Sequence, residues 1–169
     1  MEISSSDRIQ RVLNQLEKWD IPYALYTHPP LPTVEIALAY WKDIPEATHC
    51  KNLFFRNHKG NRHYLVIFEC SKQLNISDLE HKLKQGKLSF ASPERMEKYL
   101  GLLPGSVSPF GLINDQEHAV YLFIDKELTE ALSLSFHPND NTASAVISTA
   151  DFFRFLALCG NRYELIEFN

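Results

Sequence analysis

The sequence lacks the features that mark several classes of protein. Its 169 residues hold three cysteines, Cys50, Cys70 and Cys159. They are odd in number, far apart and without a CxxC pair, which argues against a disulfide framework and against a zinc knuckle. The longest apolar runs, residues 65–68 and 119–124, fall far short of the roughly 20 residues of a membrane-spanning helix. Residues 4–20 carry Asp7, Arg8, Arg11, Glu17 and Lys18, so they cannot serve as the apolar segment of a secretory leader. There is no Walker lysine, no GxGxxG, no Ser-His-Asp order, no paired-carboxylate motif and no metal-ligand spacing. No internal repeat, low-complexity tract or linker divides the chain, and the length suits one core. The expectation is one domain over residues 1–169, cytoplasmic, with no membrane partner.

What is present begins with His49-Cys50-Lys51-Asn52-Leu53-Phe54-Phe55-Arg56. A lysine stands at the mouth of an apolar, aromatic run that reads as a buried strand. An unpaired ammonium inside an apolar site costs several kcal/mol, so such a lysine either reaches water or is held out to meet an anion. Cys50 adjoins it, but no histidine and carboxylate stand in sequence to activate a thiol nucleophile. The charge distribution adds to this. The net charge is −4, yet residues 47–68 contain no acid, while Lys51, Arg56, Lys59 and Arg62 are joined by His49, His58 and His63. Residues 101–169 hold nine acids and three bases, a balance of −6. A local basic patch on an acidic body suits contact with a few phosphates at one place. It does not suit a protein that coats nucleic acid, and no helix rich in Arg and Lys offers a DNA reader.

In chain order, Ser5 or Ser6 caps a first helix with Ile9, Val12, Leu13 and Leu16 on its buried face, ending near Asp20 ahead of Pro22. Residues 23–26 read as a short strand and His28-Pro29-Pro30-Leu31-Pro32 as a stiff extended segment. Thr33 then caps a second helix with Glu35 in its first turn. Residues 53–56 and 64–68 flank Asn57-His58-Lys59-Gly60-Asn61 as a hairpin that carries the basic patch. Ser77 starts a helix with Leu79 and Leu83 that closes near Gly86, and Ser92-Pro93-Glu94 starts another that stops at Gly101. Residues 101–111 hold three of the six glycines together with Pro104 and Pro109, a composition that lets backbone N–H groups approach a ligand. Residues 118–125 read as a core strand. Residues 132–137 alternate, with the leucines and Phe136 to one side and Ser133, Ser135 and His137 to the other. Residues 143–147 return as a strand, and Thr149 caps a last helix bearing Phe152, Phe155, Leu156 and Cys159. The fold class is α+β.

Five segments in order then carry a resemblance. They are Thr27-His28-Pro29-Pro30 with Thr33-Val34-Glu35, Lys51 to Arg56, Leu88-Ser89-Phe90-Ala91-Ser92-Pro93-Glu94-Arg95, Pro104-Gly105-Ser106-Val107-Ser108-Pro109-Phe110-Gly111, and Phe136-His137-Pro138-Asn139 with Asn141-Thr142-Ala143-Ser144. Together they resemble the YbaK/prolyl-tRNA-synthetase editing-domain superfamily in its free-standing ProX/PrdX-type branch. The resemblance implies a mixed, mainly antiparallel barrel-like sheet flanked by helices. It implies hydrolysis of the ester of a mischarged aminoacyl-tRNA, Ala-tRNA(Pro) first among them, without a cofactor. Lys51 matches the family's central residue, His137 lines the substrate pocket, and Gly101 and Gly105 bracket a loop that closes on the terminal adenosine. His28, Val34, Asn52, Pro104, Asn141 and Ser144 are the further pocket residues expected. Arg56, Lys59 and Arg62 on the basic hairpin are the expected tRNA phosphate contacts. The implied partners are the acceptor end of a mischarged tRNA and, beside it, prolyl-tRNA synthetase. The alternative is a non-catalytic module of this fold that holds a tRNA end, an amino acid or a partner protein. One departure is visible: Glu69-Cys70 stands where the family often has a glycine-containing turn.

Overall fold

A computed structural model describes residues 4–28 and 47–168. The expected helix from Thr33, and Val34 with it, lie outside the described residues. The first helix, α1 (Ser5–Lys18), is capped by Ser4 rather than by Ser5 or Ser6, its hydroxyl accepting from the Asp7 N–H at 3.2 Å. Strands β1 (Ala24–Thr27), β2 (Ala47–Asn57) and β3 (His63–Glu69) follow. Helix α2 (Ile76–Leu83) starts at Asn75 through a reciprocal capping box with Asp78, two residues before the expected Ser77. Strand β4 (Leu88–Phe90) leads to α3 (Pro93–Leu100), where Ser92 caps, Pro93 opens and Gly101 closes the helix as expected. A 3-10 turn (Pro109–Asn114) precedes β5 (Val120–Asp125), and a second (Lys126–Glu130) precedes β6 (Ser133–Phe136). Then come β7 (Ala143–Ser148), α4 (Thr149–Cys159) and β8 (Tyr163–Ile166). The cap of α4 is Ser148, not Thr149.

The strands form one mixed sheet in the order β1-β7-β6-β2-β3-β5-β8, with β4 also paired to β2. The pairs β1/β7, β2/β3, β2/β4 and β6/β7 are antiparallel, while β2/β6, β3/β5 and β5/β8 are parallel. This is the mixed sheet with flanking helices that the resemblance implies. One face carries Phe54, Leu65, Ile67, Leu122, Ile124, Leu134 and Phe136 against Val12 and Leu16 of α1 and Phe152, Phe155 and Leu156 of α4. The other carries Phe55, Tyr64, Val66, Phe68 and Phe123 against Leu79 and Leu83 of α2. Strands buried on both faces read as continuous apolar runs, which is why 64–68 and 120–124 show no alternation.

The hairpin between β2 and β3 is tied to α3 through a buried histidine. His63 is 2% exposed, with its ring 4.0 Å from that of Tyr99 and 5.7 Å from that of Phe54, centroid to centroid. Arg95 Nη1 donates to His63 Nε2 and to the Gly60 carbonyl, both at 2.9 Å. Burial first, then the Arg95 cation, lower the His63 pKa to about 4. A base whose folded pKa lies below its unfolded value contributes its full stability above about pH 6.5 and loses it as the pH falls toward 4. The urea midpoint of the wild type should therefore decline between pH 6.5 and 4, and His63→Gln should decline less steeply. Parallel acid limbs for the two proteins would show that His63 does not titrate in this way.

Candidate functional site

Strand β2 changes partners along its length, and the change opens a notch. On one edge it pairs with β3 without a break from Cys50 to Arg56. On the other it pairs with β6 only through Ala47, Thr48 and His49, and with β4 only from Phe55. Between those two partners, residues 50–54 meet no strand on that edge among the described residues. The Ala91 N–H fills one position, donating to the Phe54 carbonyl at 2.9 Å. The pairing of His49 with Ser135, extended past its last pair, puts Lys51 level with His137. Lys51 is exposed, and no ion pair engages it among the described residues. The lysine at the mouth of the core strand thus reaches solvent, with Phe54 and Phe55 buried behind it.

The sheet face beside the notch is polar because β6 and β7 alternate. Leu134, Phe136, Ala145 and Ile147 enter the core, and Ser133, Ser135, Ser144 and His137 stand on the opposite face. Ser144 is 1% exposed, and its hydroxyl lies 2.9 Å from His28 Nε2. The rings of His28 and His137 meet edge to face at 6.1 Å. His137 Nδ1 lies 2.9 Å from the Ala143 carbonyl. A carbonyl only accepts, so Nδ1 carries the proton and Nε2 is left as the acceptor. Burial, with a smaller contribution from His28, lowers the His137 pKa against the opposing effect of the Ala143 bond and Asp140. The turn that follows is pinned to α1 by Arg8, whose Nη2 meets Asp140 Oδ2 at 2.7 Å. Asp140 also accepts from the Thr142 N–H and hydroxyl.

The expected site residues divide. His28, His137 and Ser144 come together on the polar face, with Lys51 at the notch beside them, while Asn52, next to Lys51 in β2, points to the opposite face. Its Oδ1 is buried, with no hydrogen-bond partner among the described residues. Gly105, at φ 86°, lies against the same turn: a Cβ built on it would sit 3.7 Å from Asn141 Nδ2. Pro104 is exposed beside it. Gly101 stands at the end of α3, at φ 67°. Its N–H closes α3 on the Glu97 carbonyl at 2.9 Å, and a Cβ there would meet Asn114 Nδ2 at 2.7 Å. Glycine suits the left-handed helix end at that position. On the hairpin, Arg56 Nη1 donates to the carbonyls of Asn57 and His58, while Lys59 and Arg62 are exposed.

Two residues at the site escaped the sequence reading. His49 stood in the basic patch but was assigned no pocket role, and Ser135 was assigned a face but no role. The signal was there in the alternation, since His49 precedes Lys51 by two and Ser135 precedes His137 by two. Burial, opposed by Glu69 and reinforced by His137, lowers the His49 pKa to about 4, so this ring is neutral near pH 7. Burial raises the Cys50 thiol well above the ordinary range, which disfavours the nucleophilic thiolate, and its Sγ faces the Thr48 carbonyl at 3.7 Å. The turn after β3 needs no glycine here, because the Glu69 carboxylate accepts from the Ser71 N–H and hydroxyl. Among the described residues no three of His, Cys, Asp and Glu converge as a metal-holding group. Nor is any helix long and apolar enough to cross a membrane.

This notch, with one exposed cation, a neutral imidazole and a glycine loop beside it, occurs in a chain with close relatives. The model of the aminoacyl-tRNA editing domain matches residues 28–155. The prolyl-tRNA editing protein ProX of Acetoanaerobium sticklandii is 38% identical over 162 residues, 95% of this chain and 98% of that protein. Prolyl-tRNA synthetase associated domain-containing protein 1 of Xenopus laevis is 29% identical over 169 residues, covering 98% and 99% of the two chains. A crystal structure of a candidate trans-editing enzyme for prolyl-tRNA synthetase shares the fold, with a TM-score of 0.71 at 20% identity over 99% of this chain and 100% of that one. The matched residues 28–155 include His28, Lys51, Gly105, His137 and Ser144, and the chain belongs to the aminoacyl-tRNA editing domain family.

Proposed function

We propose that this protein is a trans-editing deacylase that hydrolyses mischarged tRNA(Pro), with Ala-tRNA(Pro) as its main substrate. The observation that carries the reading is the notch that β2 leaves open between β6 and β4, where the β2/β6 register, carried two residues on, brings Lys51 level with His137. An aminoacyl ester is already activated, so the site has to position it, place a water and stabilise the oxyanion. Lys51 supplies positive charge to the terminal phosphate or to the developing oxyanion. In this reading the Gly105 loop orients the ester, and His137 Nε2 accepts a hydrogen bond from the substrate. Water adds to the ester carbonyl, the ribose oxygen leaves with a proton, and the free amino acid and intact tRNA result. The adjoining ribose hydroxyl helps to hold the water, which accounts for a site without a catalytic dyad.

Selection works by exclusion, because alanine is smaller than proline and binding contacts alone discriminate weakly against a missing methylene. His28 is fixed by Ser144, and His137 by Ala143. Walls held in this way can refuse a ring. Val34 belongs to the same proposed pocket. Arg56, Lys59 and Arg62 are the proposed phosphate contacts, and the protein works in the cytoplasm beside prolyl-tRNA synthetase as one editing domain. The test is the release of labelled amino acid from Ala-, Pro-, Cys- and Ser-charged tRNA(Pro). Release of alanine with proline spared is the expected result. Release of another amino acid keeps the reaction and changes the substrate. No release from any of them would leave a module that binds without turnover.

A further inference from the structure

We propose that the groove between the β2–β3 hairpin, the start of β5 and the turn into β8 carries the sugar-phosphate backbone of the RNA substrate, with Arg162 and Lys87 as phosphate contacts outside the hairpin. The inference rests on the editing function proposed above. A cavity of ≈ 770 Å³ is lined there by Arg62, Tyr64, Gln85, His118 and Arg162 among others. A second of ≈ 390 Å³ adjoins it, sharing Arg62, Tyr64 and Gln85 and adding Lys59 and Lys87. The two form one continuous open surface, and no carboxylate lines either. Among the described residues no ion pair engages Lys59, Arg62, Lys87 or Arg162. Glu164, the neighbouring acid, accepts from the Tyr121 hydroxyl at 3.1 Å. The floor is held by Gln85, which accepts from the Tyr64 hydroxyl and donates to the Leu83 carbonyl.

Four cations outside every ion pair among the described residues share one surface of a chain with net charge −4, and a polyanion would relieve their mutual repulsion. The groove is open, unlike the enclosed apolar pockets that hold small molecules. It offers charge and hydrogen-bond donors, which position a backbone without reading sequence. Its place fits the same substrate. The hairpin end of β2 lies six residues from Lys51, about 20 Å at the strand rise of ~3.3 Å per residue. An RNA whose 3′ end reached Lys51 would lay its preceding nucleotides across this surface.

The test is equilibrium binding of uncharged tRNA(Pro) transcript to the full chain between about 50 and 200 mM salt. Lys87→Gln/Arg162→Gln should raise Kd about tenfold and lower the slope of log K against log salt by about two. The control, Lys18→Gln/Lys126→Gln, makes the same change in net charge away from the groove and should leave the slope unchanged. An unchanged Kd and slope in the groove variant would overturn the proposal, as would equal losses in groove variant and control. Release of alanine from Ala-tRNA(Pro) by the wild type, measured in parallel, separates the two ideas. Its failure would sink the editing function, while the difference in salt slope still reports on the groove.

Discussion

Lys51→Ala should lower the release of alanine from Ala-tRNA(Pro) at least about 100-fold, the scale expected when a donor to a developing oxyanion is lost. It should leave the protein folded, with stability within about 0.5 kcal/mol of wild type. The two expectations have one structural cause. Lys51 is exposed and outside every ion pair formed among the described residues, so removing its ammonium breaks no ion pair among them. The strand behind it is held by the unbroken β2–β3 register and by Phe54 and Phe55, which are 1% and 0% exposed. Single-turnover rates at saturating enzyme, with urea unfolding in parallel, make the check. A variant that turns over at the wild-type rate would remove Lys51 from the chemistry. A variant that unfolds would show that the lysine has a structural role absent from this geometry.

Lys72→Met should cost about 3 kcal/mol of stability, near the lower end of the range for breaking one side of a buried ion pair. Asp125, at the end of β5, is 1% exposed. Lys72 Nζ lies 2.5 Å from its Oδ2, 2.6 Å from Glu127 Oε2 and 2.8 Å from the Phe168 carbonyl. One ammonium therefore joins the end of β5, the 3-10 turn after it and the last described residue. Without it the Asp125 carboxylate keeps the Glu127 N–H at 3.1 Å but no cation in contact. Urea unfolding of the single variant and of Lys72→Met/Asp125→Asn provides the test. The double variant should recover most of the loss, because it no longer buries a charge. If single and double variants are equally destabilised, the loss comes from the lysine stem and not from the stranded carboxylate.

Local chemistry made part of this fold readable. Ser92, Pro93 and Gly101 bound their helix as their side chains and backbone preferences require, and the alternation at residues 133–136 put the serines and His137 on the polar face. Reading was weaker where two adjacent residues compete for one cap. Ser4 rather than Ser5 or Ser6, and Ser148 rather than Thr149, accept the first-turn N–H groups. Strand β4 spans only Leu88–Phe90 and β8 only Tyr163–Ile166, too short for a periodic signal against their helical neighbours. The notch was illegible for a different reason. It exists because β2 leaves β6 after His49 and gains β4 at Phe55, and those pairings join residues far apart in sequence. The residue types at the site were visible, but their convergence was not.

The partner exchange of β2 also sets when this protein can become active during synthesis. Thr48 pairs with Leu134 and Ala24 with Val146, so the earliest strands wait for some of the last. Such long-range closures fold slowly, and a chain still on the ribosome offers Lys51 no neighbour to act with. The proposed site is complete only when the segment holding His137 and Ser144 has emerged and closed onto the strands made first.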